Sequence, residues 1–184
     1  ALIDDRGGQI NPRAYVRGLA AAAVKAGATI HASSRVTAVA RQQRGWRIDT
    51  AGGHILADQV FATTNALVGS LLPDVRRSII PARPYQVATQ PLDPATRERI
   101  LPKRQPVADI HRHTFAYRWS PDNRLVTGGL AVLNTAGAVD RMAQYFLRRL
   151  HQYLPDLPAL ESAYAWTGIV ADIEQITAEE FQLA

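Results

Sequence analysis

The chain has 184 residues, 47% of them hydrophobic and 20% charged, a composition that is typical of a folded globular protein and excludes a disordered one. It contains no cysteine and no run of about 18 apolar residues, which excludes disulfides and cysteine-ligated zinc and leads us to expect a cytoplasmic protein without a membrane span. The formal charge of +5 comes mostly from arginines that are scattered rather than clustered, so we expect no nucleic-acid partner.

The first predicted element is an amphipathic helix. Asn11 is a suitable N-cap, Pro12 suits the first helical position, and Gly27 suits the left-handed residue that ends a helix. Apolar residues recur at helical spacing between them, so we expect one face of the helix to pack against another part of the protein. These residues are Val16, Leu19, Ala20, Ala23 and Val24.

Short strands and a possible boundary follow this helix. An apolar run at residues 59–63 is typical of a strand that is buried on both faces. A short helix over residues 67–72 is predicted to stop before Pro73, and the polar stretch after it marks a domain boundary near residue 75. The other strands of this part are predicted at residues 29–31, 36–41, 46–50 and 54–57.

The second half of the sequence predicts antiparallel strands with helices on one side, which is an α+β arrangement. The turn-forming residues 120–123 predict a hairpin between two of the strands. Helices are predicted at residues 94–100, which follow Asp93 as the cap, and at residues 138–154. The strands are predicted at residues 79–80, 85–92, 107–111, 114–119, 125–129 and 162–168.

A series of short motifs resembles the D-amino-acid oxidase superfamily of FAD-dependent oxidoreductases, and specifically its amine-oxidising branch of gamma-glutamylputrescine oxidase-like enzymes. The order and spacing of the motifs carry the resemblance, which extends to about Ala171. The motifs are GQINP at 8–12, GATI at 27–30, GWRIDT at 45–50, ADQVFATTN at 57–65, YQVATQPL at 85–92, YR at 117–118 before RLVTGG at 124–129, and WTG at 166–168.

The resemblance implies an enzyme that oxidises an amine or amino acid at its C–N bond by hydride transfer to FAD, with that small molecule as its partner. Residues 1–75 would then be the second half of an FAD-binding α/β domain. Residues 76–171 would be a substrate-binding antiparallel sheet with flanking helices. Residues 172–184 match no part of the family that we can assign.

Two sets of residues are implied to contact the cofactor and the substrate. Val36 matches a position whose backbone contacts adenine, and the residues that match the segment near the FAD ribose and pyrophosphate are Ala62, Thr63, Thr64 and Asn65. Tyr117 and Arg118 match a substrate-facing segment, where a guanidinium would bind a carboxylate through two parallel hydrogen bonds. Tyr85 and Gln86 open a strand from which either side chain would reach the substrate.

Each of these substrate residues also has a purely structural interpretation. The alternative for Arg118 is a solvated arginine or one that pairs across the hairpin, and the alternative for Tyr85 is packing in the core. Trp166 is either a wall near the flavin or a core residue, and the pair Gly128 and Gly129 either permits close packing or ends a strand. No catalytic residue is identified, because the flavin performs the redox step.

The chain lacks the glycine-rich phosphate-binding motif GxGxxG, and it begins with Ala1. We therefore expect the central portion of a longer oxidoreductase, whose FAD site is incomplete here and which is inactive alone. A non-catalytic basic binding module, for a ligand or nucleic acid, is the alternative. His111 and His113 would share a strand face, but because no third ligand is recognisable we expect no metal site.

Overall fold

The computed structural model describes residues 7–110, 115–131 and 137–172. They form two compact units, Ile10–Ser78 and residues 7–9 together with the described residues from Ile79 onward. The predicted α+β class is confirmed, because helices occur together with antiparallel sheets. His111, His113 and residues 173–184 lie outside the described residues.

Helix α1 (Pro12–Lys25) opens the first unit, and its ends are the predicted ones. Asn11 Oδ1 accepts a hydrogen bond from the Ala14 N–H at 3.1 Å, and Gly27 takes the left-handed conformation, with φ at +97°. No residue of α1 is buried, and Val16 is 62% exposed. The packing predicted for the apolar face is therefore not made by the described residues.

A three-stranded antiparallel sheet follows, with its strands in sequence order. Tight local contacts hold it: the Arg41 guanidinium lies 5.1 Å from the centre of the Trp46 ring, and Thr50 Oγ1 donates to the Gly53 carbonyl at 3.0 Å across the turn. A 3-10 turn at Asn65–Leu67 and helix α2 (Pro73–Arg77) complete the unit. The strands are β1 (Val36–Arg41), β2 (Trp46–Thr50) and β3 (Gly53–Ala57).

Three predictions for this unit are wrong. Residues 29–31 and 59–63 are not strands, and Phe61 is 83% exposed. A strand buried on both faces requires neighbouring strands and covering helices, and the described residues supply none beside this run. Residues 67–72 do not form the predicted helix either, because Pro73 begins a helix instead of stopping one, as its fixed φ allows at the first helical position.

The second unit is an antiparallel sheet with flanking helices. Its elements are β4 (Ile80–Thr89), α3 (Pro94–Arg99), β5 (Val107–Ala108), β6 (Ala116–Trp119), β7 (Leu125–Ala131), α4 (Ala138–Tyr153), β8 (Ser162–Thr167) and β9 (Val170–Asp172). Strand β4 is central, and the strand order is β5-β6-β7-β4-β8, with β9 also paired to β4. The sequence predicted two strands in place of β4, since Pro81 and Pro84 suggest a break. The strand is continuous because β9 pairs with its first part and β8 with its second.

The predicted hairpin between β6 and β7 is confirmed. Its turn is closed by Ser120, whose N–H donates to the Arg124 carbonyl at 2.8 Å and whose Oγ accepts from the Arg124 N–H at 2.9 Å. Asn123 takes a left-handed φ of +58°, which asparagine tolerates better than most residues. Strand β9 was not predicted.

Helix α4 covers one face of this sheet and makes the hydrophobic core. Trp119 is fully buried there, and its indole N–H donates to the Ile100 carbonyl at 2.7 Å. Thr89 is also fully buried, and its Oγ1 accepts from the Leu125 N–H at 3.0 Å. The other core residues are Tyr85, Val87, Phe115, Ala138, Met142, Ala143, Phe146, Leu147, Leu150 and Leu157.

Candidate functional site

The four predicted substrate residues lie on opposite faces of the second sheet. Tyr85 is 2% exposed within the core, and Tyr117 packs against the same core, with its ring centre 6.0 Å from that of Phe115. Successive side chains of a strand point to opposite faces, so Gln86 and Arg118 lie on the face away from α4. Of the four residues, only Gln86 and Arg118 share a face that the helix does not cover.

We call this second surface the open face and define it by two cross-strand rows. Both rows run over β6, β7, β4 and β8, and a glycine or an alanine lies in the middle of each. Aromatic side chains stand at the β8 end, where Tyr164 is 62% exposed and Trp166 45% exposed. The rows are Ala116, Gly128, Gln86 and Trp166, and then Arg118, Val126, Ala88 and Tyr164.

Two arginines on the open face are held in different ways. Arg124 donates to the Asp122 carboxylate at 2.6 Å and to the Thr89 carbonyl at 3.1 Å, and its guanidinium lies 5.2 Å from the centre of the Tyr164 ring. Arg118 is half-buried beside Val126, and its guanidinium makes no hydrogen bond or ion pair with any residue that the structure describes. Of these two guanidiniums, only that of Arg118 has no partner among the described residues.

Gln86 lies folded across the neighbouring strand. A Cβ added to Gly128 would meet Gln86 Nε2 at 2.6 Å and Gln86 Cδ at 2.7 Å, and would also collide with the Tyr85 carbonyl oxygen. The absence of a side chain at Gly128 is what leaves space for the Gln86 carboxamide. Gly128 lies inside β7, so it does not end the strand, and it permits close packing instead.

The Tyr117 hydroxyl lies on the face of the sheet that α4 covers. Burial raises its pKa above the usual value of 10.0, and the nearby Tyr153 raises it further. A phenol with such a pKa stays neutral at physiological pH. Tyr117 therefore contributes to packing beneath the sheet, while its neighbour in sequence, Arg118, carries a charge above it.

The predicted cofactor residues lie in the first unit. Val36 is half-buried at the start of β1, whereas Ala62, Thr63, Thr64 and Asn65 form an exposed segment that leads into the 3-10 turn. Asn65 has a left-handed φ of +52°, and its Oδ1 accepts from the Ala66 N–H at 2.7 Å. Exposed hydroxyl and backbone donors suit a ribose or a phosphate, so these residues fit part of FAD.

The chain contributes no glycine-rich turn for the pyrophosphate, and the fit to FAD is limited to that part. Among the described ranges, no group of three or more His, Asp or Glu side chains lies close enough to hold a metal ion. In the same ranges, no helix is both long and apolar enough to span a membrane. The cytoplasmic location and the absence of a nucleic-acid partner stay predictions.

Sequence comparison finds one family model over nearly the whole chain. The family is described as FAD dependent oxidoreductase (DAO), and the match covers residues 1–180. A probable oxidoreductase OrdL of Rhizobium meliloti is 30% identical over 163 residues, which are 89% of this chain and 37% of that protein. The gamma-glutamylputrescine oxidoreductase of Escherichia coli is 28% identical over 169 residues, which are 91% of this chain and 39% of that protein.

Structure comparison finds the same kind of fold. Glycine oxidase from Geobacillus kaustophilus matches with a TM-score of 0.60 at 21% identity, over 86% of this chain and 41% of that one. Glycine oxidase from Bacillus cereus matches with a TM-score of 0.62 at 16% identity, over 83% and 42%. The chain thus spans about two fifths of the length of the proteins that it matches.

Proposed function

The chain belongs to the family of FAD-dependent oxidoreductases, and on that premise we propose that the open face binds an amine or amino-acid substrate in the longer protein. One observation carries this proposal: Arg118 is half-buried on that face beside Val126, and its guanidinium makes no hydrogen bond or ion pair with the described residues. Its planar guanidinium matches a carboxylate through two parallel hydrogen bonds. A substrate that carries a carboxylate next to its amine fits best.

In the proposed reaction, bound flavin supplies the acceptor for the hydride that leaves the carbon next to the amine. The substrate loses that hydride and becomes an iminium, which water hydrolyses to a carbonyl compound and the free amine or ammonia. Arg118 holds the carboxylate and so fixes the position of the reacting carbon.

The relatives support an amine as the reacting group. One of them is named for gamma-glutamylputrescine, which is an amine, and the match to it covers 91% of this chain. On this basis we propose that residues 76–171 form the substrate sheet and that residues 1–75 form part of the FAD-binding domain. Val36 would then contact adenine, and Ala62, Thr63, Thr64 and Asn65 would lie near the ribose and pyrophosphate.

The test uses the protein that is expressed from the complete reading frame. We expect a yellow protein whose flavin absorbance bleaches anaerobically when the right amine is added. A colourless protein, or a yellow one that no amine bleaches, contradicts amine oxidation and favours a non-catalytic binding module.

A second arm of the test examines Arg118. Arg118→Ala removes charge-assisted hydrogen bonds and should raise KM for an α-amino acid about 10- to 100-fold, with less than about a twofold change for its decarboxylated counterpart. Arg118→Lys keeps the charge without the fork and should restore only part of the loss. Arg148→Ala, at an exposed position on α4, is the matched control. Equal losses for both substrates would contradict a carboxylate contact.

A further inference from the structure

Gln86 on β4 and Gly128 on β7 are directly paired on the open face. The Gln86 carboxamide occupies the space above Gly128 on the neighbouring strand, because a Cβ added to Gly128 would lie only 2.6 Å from Gln86 Nε2. Gly128 is paired directly with Ala116 on β6, and Arg118 is two residues further along the same strand. Diagonal neighbours of this kind have Cα atoms about 7–8 Å apart, which is within reach of a long side chain.

The amide and the guanidinium are thus held on the same face, close enough to contact one small molecule. Arg118 donates hydrogen bonds only, whereas a carboxamide both donates and accepts them. The amino group of a substrate has N–H donors that Arg118 cannot satisfy. The Gln86 carbonyl oxygen can accept from such a donor while Arg118 holds the carboxylate.

We propose that Gln86 recognises the amino group of the substrate whose carboxylate Arg118 binds, and that Gly128 is the positioning residue that keeps the Gln86 carboxamide across β7. This inference rests on the proposed function and names its substrate class: a small α-amino acid, whose carboxylate and amine are close together. Any side chain at position 128 would push the carboxamide away from the place where it meets the substrate.

The experiment uses the full-length flavoprotein and two probes. The first is an α-amino acid, measured as kcat/KM, and the second is the matching carboxylic acid without an amine, measured as an inhibition constant. Gln86→Ala should lower kcat/KM about 5- to 20-fold, which is the range of one lost hydrogen bond. It should leave the inhibition constant within about twofold, because the acid has no amine to lose. Arg118→Ala should instead weaken the acid.

The role of Gly128 is tested by a double-mutant cycle, because its replacement also crowds the Tyr85 carbonyl. Gly128→Ala should lower kcat/KM more in the wild-type background than when Gln86 is already Ala, because only the crowding of the Tyr85 carbonyl persists in the second background. A purely structural effect would appear equally in both backgrounds. Gln86→Asn covers the case in which Gly128→Ala does not fold, since the shorter side chain cannot span Gly128 and should behave like Gln86→Ala.

Three outcomes are distinguishable. If Gln86→Ala changes neither probe, or weakens both equally, the role of Gln86 is overturned while the carboxylate contact of Arg118 stands. Additive losses in the cycle overturn the positioning role of Gly128. If no amine reduces the flavin of the wild-type protein, the proposed function fails and this inference fails with it.

Discussion

The two faces of the second sheet share every strand from β5 to β8, yet their side chains serve different purposes. On the face that α4 covers, Tyr85 and Tyr117 are packed among apolar and aromatic residues. Their immediate neighbours in sequence, Gln86 and Arg118, lie on the open face. Because a strand alternates its faces with every residue, core packing and the proposed substrate binding fall on adjacent positions and should respond to mutation separately.

The largest effect that would separate the two faces is expected from Phe146→Ala. Phe146 is buried in α4, where its ring stacks 6.1 Å from Phe115. Its removal leaves a cavity and should cost about 3–5 kcal/mol of the free energy of unfolding, measured by chemical denaturation of the 184-residue chain. Tyr164→Ala, on the open face, should cost less than about 1 kcal/mol. Similar losses for both variants would contradict the division between the faces.

A smaller difference in the free energy of unfolding is expected between variants of Trp119 and Trp166. Trp119→Phe leaves the buried Ile100 carbonyl without the donor that now lies at 2.7 Å, and such an unpaired group costs about 1–3 kcal/mol. Trp166→Phe changes an exposed side chain and should alter stability by less than about 0.5 kcal/mol. The same denaturation measurement tests both variants. A stable Trp119→Phe protein would indicate that water or a rearranged donor satisfies the Ile100 carbonyl.

The sequence predicted the elements whose signals are local. Asn11, Pro12 and Gly27 marked both ends of α1, and the turn around Asn123 marked the β6–β7 hairpin. The sequence also predicted strands at residues 29–31 and 59–63 that do not form, because a strand depends on partners that its own residues do not specify.

For a similar reason, the sequence could not predict which residues share a face of the sheet. Register decides which residues share a surface, and a shift of one residue would exchange Gln86 with Tyr85. The motifs therefore grouped residues that lie on opposite faces of the sheet. Gly128 carried a usable signal, since a glycine inside a strand often marks a close approach of another group. That the group is the carboxamide of Gln86 follows only from the pairing of β4 with β7.

Tyr117 and Arg118 allow a direct comparison of adjacent positions on the two faces. The pKa of the buried Tyr117 hydroxyl is raised, so the folded state holds this proton more tightly than the unfolded state does. The resulting stability is present below about pH 10 and is lost as the pH rises through the folded pKa. Tyr117→Phe should remove this alkaline loss, followed as the free energy of unfolding between pH 8 and 11, roughly one to two units around the usual tyrosine pKa.

The same substitution sharpens the comparison through its effect on binding. In the full-length enzyme, Tyr117→Phe should leave KM for an amino acid within about twofold, whereas Arg118→Ala raises it by about one to two orders of magnitude. A large rise in KM for Tyr117→Phe would place its hydroxyl in contact with the substrate and contradict the assignment of faces.

The smallest effect concerns the arginine that the open face keeps paired. Hydrogen bonds from Ser120 and Arg124 lower the pKa of the Asp122 carboxyl below its usual value of 3.8. Because the folded pKa is lowered, this stability is present above the unfolded pKa and is lost as the pH falls through the folded one. Asp122→Asn should therefore make the free energy of unfolding less dependent on pH below about pH 4. Asp156→Asn, at an exposed loop position, is the control and should leave this pH dependence as it is in the wild-type protein. Asp122→Asn should also replace the ion pair of Arg124 with a weaker, neutral hydrogen bond. The double variant Arg118→Ala with Asp122→Asn tests whether Arg124 can replace Arg118. If this variant binds a carboxylic acid that Arg118→Ala alone does not, the pairing with Asp122 is the reason that Arg124 does not bind the acid in the wild-type protein.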